Sequence, residues 1–190
     1  MKRNLDVYSI QIVSQFLKYK EDFLNIIQVK KLFRLVLDRM RINPIPITEN
    51  NKNLFQKIDT QQLFSKKDIK LENIKIYQYN YDINYDLYLK MKSERPQDKF
   101  KRIVYKEYNR IKHGINIPKE VTIIGRNCFN YFYSDKTNEN IKIEIPEGVK
   151  ELESSCLANK NISEITIPKT VTKIGDNIFD DNINKKSLKI

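Results

Sequence analysis

The sequence predicts an α+β chain in which an N-terminal helical cap precedes a short solenoid with one short strand per repeat. Three observations predict it. Apolar residues recur at helical spacing over the first forty positions. Prolines at 44 and 46 then end that pattern. From residue 115 onward, an Ile-Pro-x-x-Val unit occurs three times. The expected organisation is a helical cap over residues 1–46, an irregular α/β region over 47–113 that includes candidate degenerate repeats, and three repeats with the start of a fourth over 114–190.

In the cap, Ile10, Val13, Phe16 and Leu17 form a first stripe, with Asp6 or Ser9 as N-cap. A second stripe runs through Phe23, Ile26, Ile27, Phe33, Val36, Leu37 and Met40, with Lys30, Lys31, Arg34 and Arg41 on the other face. Two amphipathic helices joined near Tyr19-Lys20-Glu21 are expected, packed as an antiparallel pair. Asn43-Pro44-Ile45-Pro46 stops the second, because each proline lacks an amide donor and disfavours helix in the residue before it.

The middle region is less regular. Ile74, Ile76, Tyr77, Tyr79 and Tyr81 predict a strand with its tyrosines on one side. Asn84 can cap a short helix through Tyr85 and Leu89, and Phe100 to Tyr105 reads as another strand. Lys106 to Lys112 predicts a short helix closed by Gly114.

The repeats are explicit. Ile117-Pro118-x-x-Val121-x-x-Ile124-Gly125, Ile145-Pro146-x-x-Val149-x-x-Leu152-Glu153 and Ile167-Pro168-x-x-Val171-x-x-Ile174-Gly175 align without gaps. From Pro118 to Pro146 is 28 residues and from Pro146 to Pro168 is 22, so an insertion lies near Tyr133 to Asn138. One such unit is too small to bury its own apolar residues, and stacking solves this by forming columns. The columns are Ile115/Ile143/Ile165, Ile117/Ile145/Ile167, Val121/Val149/Val171, Ile124/Leu152/Ile174 and Phe129/Leu157/Phe179. Each buried side chain contributes roughly 1.5–3 kcal/mol. Gly125 and Gly175 are expected to permit a backbone turn that Glu153 must also adopt.

Composition excludes several classes of function. One histidine and two cysteines cannot build a multi-histidine zinc site or a four-thiolate cluster. Four scattered glycines leave no phosphate-cradling loop. No cofactor, no metal and no catalysis are expected. The net charge is +11, yet residues 116–190 hold 11 basic and 11 acidic side chains, so the excess lies within residues 1–115. The lysines there are dispersed and no nucleic-acid motif accompanies them, which leaves nucleic-acid binding through the basic N-terminal half as a lower-ranked alternative. Leu5 to Leu17 is interrupted by polar residues and is no signal sequence, and no stretch approaches a membrane span. A cytoplasmic or nuclear location is expected, with surface exposure after unconventional export as the alternative.

The three-fold I-P-x-x-V-x-x-I-G-x-x-x-F pattern resembles the BspA-like leucine-rich-repeat family, the treponemal type also expanded in protozoa. The segment from Leu5-Asp6-x-Tyr8-Ser9-Ile10 to Asn43-Pro44-Ile45-Pro46 is similar to the N-terminal region of protozoan members. Ile12-Val13-x-x-Phe16-Leu17 and Asp22-Phe23-Leu24-x-Ile26-x-x-Val29-x-x-x-Phe33 resemble an F-box. The resemblance implies a leucine-rich-repeat solenoid that serves protein–protein interaction without catalysis, with cell-surface adhesion and host contact in bacterial members. The F-box likeness implies docking to a ubiquitin-ligase adaptor. The chain reaches Leu188-Lys189-Ile190 where a fourth repeat strand begins.

Among individual residues, Cys128 and Cys156 occupy one repeat position and read as small buried hydrophobes, and His113 as a turn residue. The tyrosines at 77, 79, 81, 85 and 88 are a candidate stacking platform, with core packing the favoured alternative. The candidate partner-binding surface is the outward face of the repeat strands. Gly114, Lys142 and Glu164 form one column there, and Asn116, Glu144 and Thr166 the next. Their mixed, neutral chemistry suits a protein partner.

Overall fold

A computed structural model describes residues 6–130, 141–159 and 161–179 and the backbone of Leu188–Lys189. Among the described residues it combines five α-helices with short strands that pair in parallel. The chain divides into two compact units. One holds residues up to 81 together with 95–100, and the other holds 82–94 and 101–190.

In the first unit, α1 (Val7–Ser14) starts where the Asp6 carboxylate accepts the Ser9 N–H at 2.7 Å. Val7, Ile10 and Ser14 are its buried face. Val13 and Phe16, placed on the apolar stripe by spacing, are exposed. The helix ends at Ser14, so the inward period runs through 7, 10 and 14 and leaves Phe16 beyond it. Helix α2 (Lys20–Val29) is anchored by a Tyr19 N–H to Asp22 carboxylate bond of 3.2 Å.

The long second helix expected through Met40 is broken. Lys30 is extended (φ −151°, ψ 131°), a 3₁₀ turn follows at Lys31–Phe33, and α3 covers Arg34–Arg39. Ile26, Ile27 and Val29 are β-branched and support helix propagation weakly. The break folds Phe33, Val36 and Met40 onto the cluster that also contains Phe23, Ile45, Ile47 and Phe55.

Strands follow directly. An isolated parallel bridge joins Ile42 to Thr60. Strand β1 (Thr60–Leu63) pairs with β2 (Ile76–Tyr79), placing Gln62 beside Gln78. The buried Asn43 side chain gives and takes hydrogen bonds with the Gln62 backbone at 2.9 and 2.6 Å. Gln62 Oε1 accepts from Gln78 and Asn80, both at 2.9 Å. These side-chain amides satisfy polar groups that successive passes of the chain would otherwise bury.

The second unit opens with β3 (Ile83–Asn84) and α4 (Tyr85–Glu94), whose Leu87 N–H is accepted by the Asn84 side chain at 2.8 Å. The single strand expected from Phe100 to Tyr105 is two. Strand β4 (Lys99–Phe100) pairs with β2, whereas β5 (Ile103–Tyr105) pairs with β3. Helix α5 (Glu107–His113) ends at Gly114, whose φ of 95° favours glycine.

The remaining strands are β6 (Ile123–Ile124), β7 (Ile141–Glu144), β8 (Glu151–Leu152), β9 (Ile162–Thr166), β10 (Lys173–Ile174) and β11 (Leu188–Lys189). They form two parallel ladders, ordered β10-β8-β6-β5-β3 and β11-β9-β7. The first ladder thus includes rungs upstream of the Ile-Pro units.

The columns follow the register. Ile124, Leu152 and Ile174 pair in succession, as do Ile143 and Ile165. Val121 and Val149 are fully buried. In all three units the valine N–H reaches the proline C=O three residues earlier, at 3.0, 3.0 and 3.1 Å. The third unit is less covered, with Val171 half-buried and Ile174 59% exposed, because among the described residues β10 ends its ladder.

Glycine works differently from the sequence expectation. Within the three repeats the left-handed residues are Asn127, Ser155 and Asn177 (φ 57°, 56° and 52°), two positions after Gly125, Glu153 and Gly175. Gly175 instead permits close approach, since a Cβ there would lie 2.5 Å from the Ser154 backbone nitrogen.

Candidate functional site

Strand β7 alternates buried Ile141 and Ile143 with exposed Lys142 and Glu144. Inward isoleucines anchor the strand in the core, which fixes the opposite direction for the polar pair. The parallel register then sets Lys142 beside Glu164 and Glu144 beside Thr166 on β9. Lys142 Nζ lies 2.9 Å from Glu164 Oε2, and the lysine side chain is 76% exposed while that of the glutamate is 26% exposed.

Asn116, Lys142, Glu144, Glu164 and Thr166 line one shallow depression of about 510 Å³, together with Ile115, Ile117, Ile143 and Pro146. That volume falls within the roughly 300–1,000 Å³ of ligand clefts. The five candidate residues are therefore brought together. Gly114 is not among the lining residues; its N–H is donated to the Arg110 C=O at 2.8 Å and terminates α5. The strand expected at Ile115–Ile117 does not form, although both isoleucines help to wall the depression.

The arrangement offers an ion pair, a second carboxylate, a hydroxyl, an amide and the half-buried Ile115 and Pro146, while Ile117 and Ile143 are buried beneath it. Among the described residues Glu144 has no ion pair. Such a surface can recognise a polypeptide by alternating polar and apolar contacts.

Cys128, Cys156, His113, Tyr79 and Tyr85 resolve into packing, whereas Tyr77, Tyr81 and Tyr88 are half-buried. Cys128 and Cys156 are fully buried free thiols, and desolvation pushes both upward, Cys156 to about 12. Buried thiols so far from ionisation are weak nucleophiles. His113 Nε2 lies 2.7 Å from Asp86 Oδ1, and its ring meets Tyr85 edge-on at 5.3 Å. The hydrogen bonds from His113 and then Lys112 hold the Asp86 carboxyl below the usual carboxylate range.

Tyr79 and Tyr85 are buried, and Tyr79 stacks on Phe100 at 4.9 Å. Burial, followed by the charge of Asp98, raises Tyr79 to about 12. Neither ring presents a free face for a base.

One structural residue escaped the sequence reading. Arg110 is 5% exposed and donates through Nε to the Cys128 C=O at 2.6 Å. Its only sequence signal was an arginine inside a short amphipathic helix. Among the described residues, no group of His, Cys, Asp and Glu could hold a metal ion, and no helix is long and apolar enough to cross a membrane.

Neither a curated protein nor a solved structure is significantly similar to the chain. Residues 98–190 do match a family model, in six copies. That segment contains the three Ile-Pro units and the depression, and the family it matches is the BspA type leucine rich repeat region.

Proposed function

We propose that the chain is a non-catalytic protein-interaction module, a short leucine-rich-repeat solenoid that docks a protein partner on the outward face of β7 and β9. The carrying observation is the convergence of Asn116, Lys142, Glu144, Glu164 and Thr166 on one depression. The repeat match of the same segment supports an interaction role over an enzymatic one. Affinity capture with quantitative mass spectrometry tests this. A Lys142→Ala/Glu144→Ala/Thr166→Ala variant should recover the partner at least about tenfold less well, as expected when a few central contacts carry an interface. The exposed Lys150→Ala should not. Unchanged recovery by the triple variant would refute the assignment.

A second docking face in the N-terminal helices has its own support. Tyr8, Ile12, Val13, Phe16, Tyr19, Val29, Leu32 and Leu35 are all at least 40% exposed. Exposed apolar side chains that lie together mark interaction sites, and the number of them on these helices supports the F-box-like adaptor role. Ile12→Asp/Phe16→Asp should abolish capture of a ubiquitin-ligase adaptor while the helical circular dichroism stays unchanged. Adaptor recovery equal to wild type would exclude that role.

A further inference from the structure

The net charge of +11 lies within residues 1–115, and neither docking face accounts for it. A depression of about 390 Å³ in the first unit gathers part of that charge. Its lining includes Gln11 and Gln15 of α1, Arg39 and Arg41 on either side of Met40, and then Ile42 and Pro44. Local backbone geometry aims these groups. Met40 is extended (φ −65°, ψ 127°) and buried, so its exposed neighbours Arg39 and Arg41 turn outward. The Arg41 C=O accepts the N–H groups of Asp59 and Thr60 at 3.1 and 3.0 Å, which pins the segment to the start of β1. Arg41 Nη1 donates to the Lys57 C=O at 3.2 Å. Gln11 and Gln15 stand four residues apart and so share one face of α1.

The charge in this depression is unbalanced. Among the described residues no carboxylate pairs with Arg39 or Arg41, and none lines the depression. The depressions on the repeats instead hold Glu144 and Glu164, or Glu151 and Glu153, beside their cations. A helix C-terminus favours a cation, which accounts for Arg39 in the last turn of α3. It does not account for Arg41, which lies beyond the helix.

We propose that this depression binds a carboxylate side chain from an acidic, partly apolar peptide segment of a protein partner. Guanidinium forks take a carboxylate bidentately, in charge-assisted bonds stronger than neutral ones. The amides of Gln11 and Gln15 add donors. Apolar neighbours in the peptide would meet Ile42 and Pro44, and the exposed Ile12 and Phe16 that follow the two glutamines. Helix α1 carries no basic residue, so the rim does not continue as the basic track that a nucleic-acid backbone requires. The proposal rests on the N-terminal helices being a docking face, and it adds the charge that this face selects.

The test selects peptides from a random heptapeptide display library on the full chain, with the Arg39→Ala/Arg41→Ala protein as soluble competitor. Asp and Glu should be enriched at least about twofold beside apolar residues. By fluorescence anisotropy, the consensus peptide should bind Arg39→Ala/Arg41→Ala at least about tenfold more weakly, because charge-assisted bonds are lost. Arg39→Glu/Arg41→Glu should bind instead a copy of that peptide with lysines at its acidic positions. Lys66→Ala/Lys67→Ala, at exposed positions outside the depression, should bind as wild type. All these side chains are exposed, so the urea midpoint should not move.

Selected peptides without acidic enrichment, or unchanged affinity in the double alanine variant, would overturn the proposal. Should such peptides still lose affinity with Ile12→Asp/Phe16→Asp, the apolar docking face would stand without its charge selection. Should neither pair of substitutions matter, both would fall. An equal loss with Lys66→Ala/Lys67→Ala would reduce the effect to general attraction by a basic surface and overturn it. Displacement of the peptide by inorganic phosphate or a single-stranded oligonucleotide at equal concentration would make the ligand a phosphate and overturn it as well.

Discussion

Truncating the valine column tests the stacking of repeats. Val121 and Val149 are fully buried, whereas Val171, at the same repeat position, is half-buried. Valine to alanine deletes two methyl groups, worth roughly 1.6 kcal/mol at about 0.8 kcal/mol each. A hole of about 40 Å³ that fails to collapse adds about 1 kcal/mol at roughly 24 cal/mol per Å³. Val149→Ala and Val121→Ala should therefore each cost about 2–3 kcal/mol, and Val171→Ala about 1 kcal/mol because half of the transfer term and most of the cavity term are missing. Urea denaturation followed by circular dichroism reads the three losses at constant slope. The reasoning fails if Val171→Ala costs as much as Val149→Ala, or if neither buried site costs more than about 0.5 kcal/mol, the usual effect at a surface position.

Three further outcomes follow from backbone conformation and titration. Ser155 is left-handed at φ 56°, so Ser155→Gly should raise stability by about 1 kcal/mol in the same urea assay, and Asn127→Ala should lower it by about as much. Gly175→Ala forces a carbon to 2.5 Å from the Ser154 nitrogen and should cost about 1–3 kcal/mol by urea titration. Burial first, and then neighbouring charges, raise Tyr105 to about 12 from 10.0. A raised acid favours the fold below its unfolded value, so its contribution should be lost as pH climbs from 10 toward 12. Stability measured against pH should show that alkaline limb, and Tyr105→Phe should flatten it while losing the hydroxyl's bonds to Asn109 and Gly114.

The repeats after residue 114 were legible because their constraints are local and periodic. An Ile-Pro-x-x-Val unit fixes the Pro118–Val121 turn and its counterparts, and the inward isoleucines fix the outward direction of Lys142 and Glu144. The parallel ladder around Asn43, Gln62 and Gln78 was not legible, because side-chain amides take part there in place of a repeated apolar code. The break at Lys30 escaped a reading based on periodicity, since Phe23 and Phe33 remain buried on either side of it. The glycine roles were misjudged because close approach and left-handed conformation leave the same trace in a sequence. The convergence of the five polar residues was readable from register, whereas the lack of a regular strand at Ile115–Ile117 was not, since those side chains repeat the pattern of Ile143 and Ile145.

Methyl-to-methyl nuclear Overhauser contacts between neighbouring rungs test the stacking most directly. The account predicts contacts linking Ile143 to Ile165, and Ile124 to Leu152, which are register partners. Finding those pairs out of contact, each surrounded instead by residues of its own repeat, would contradict it.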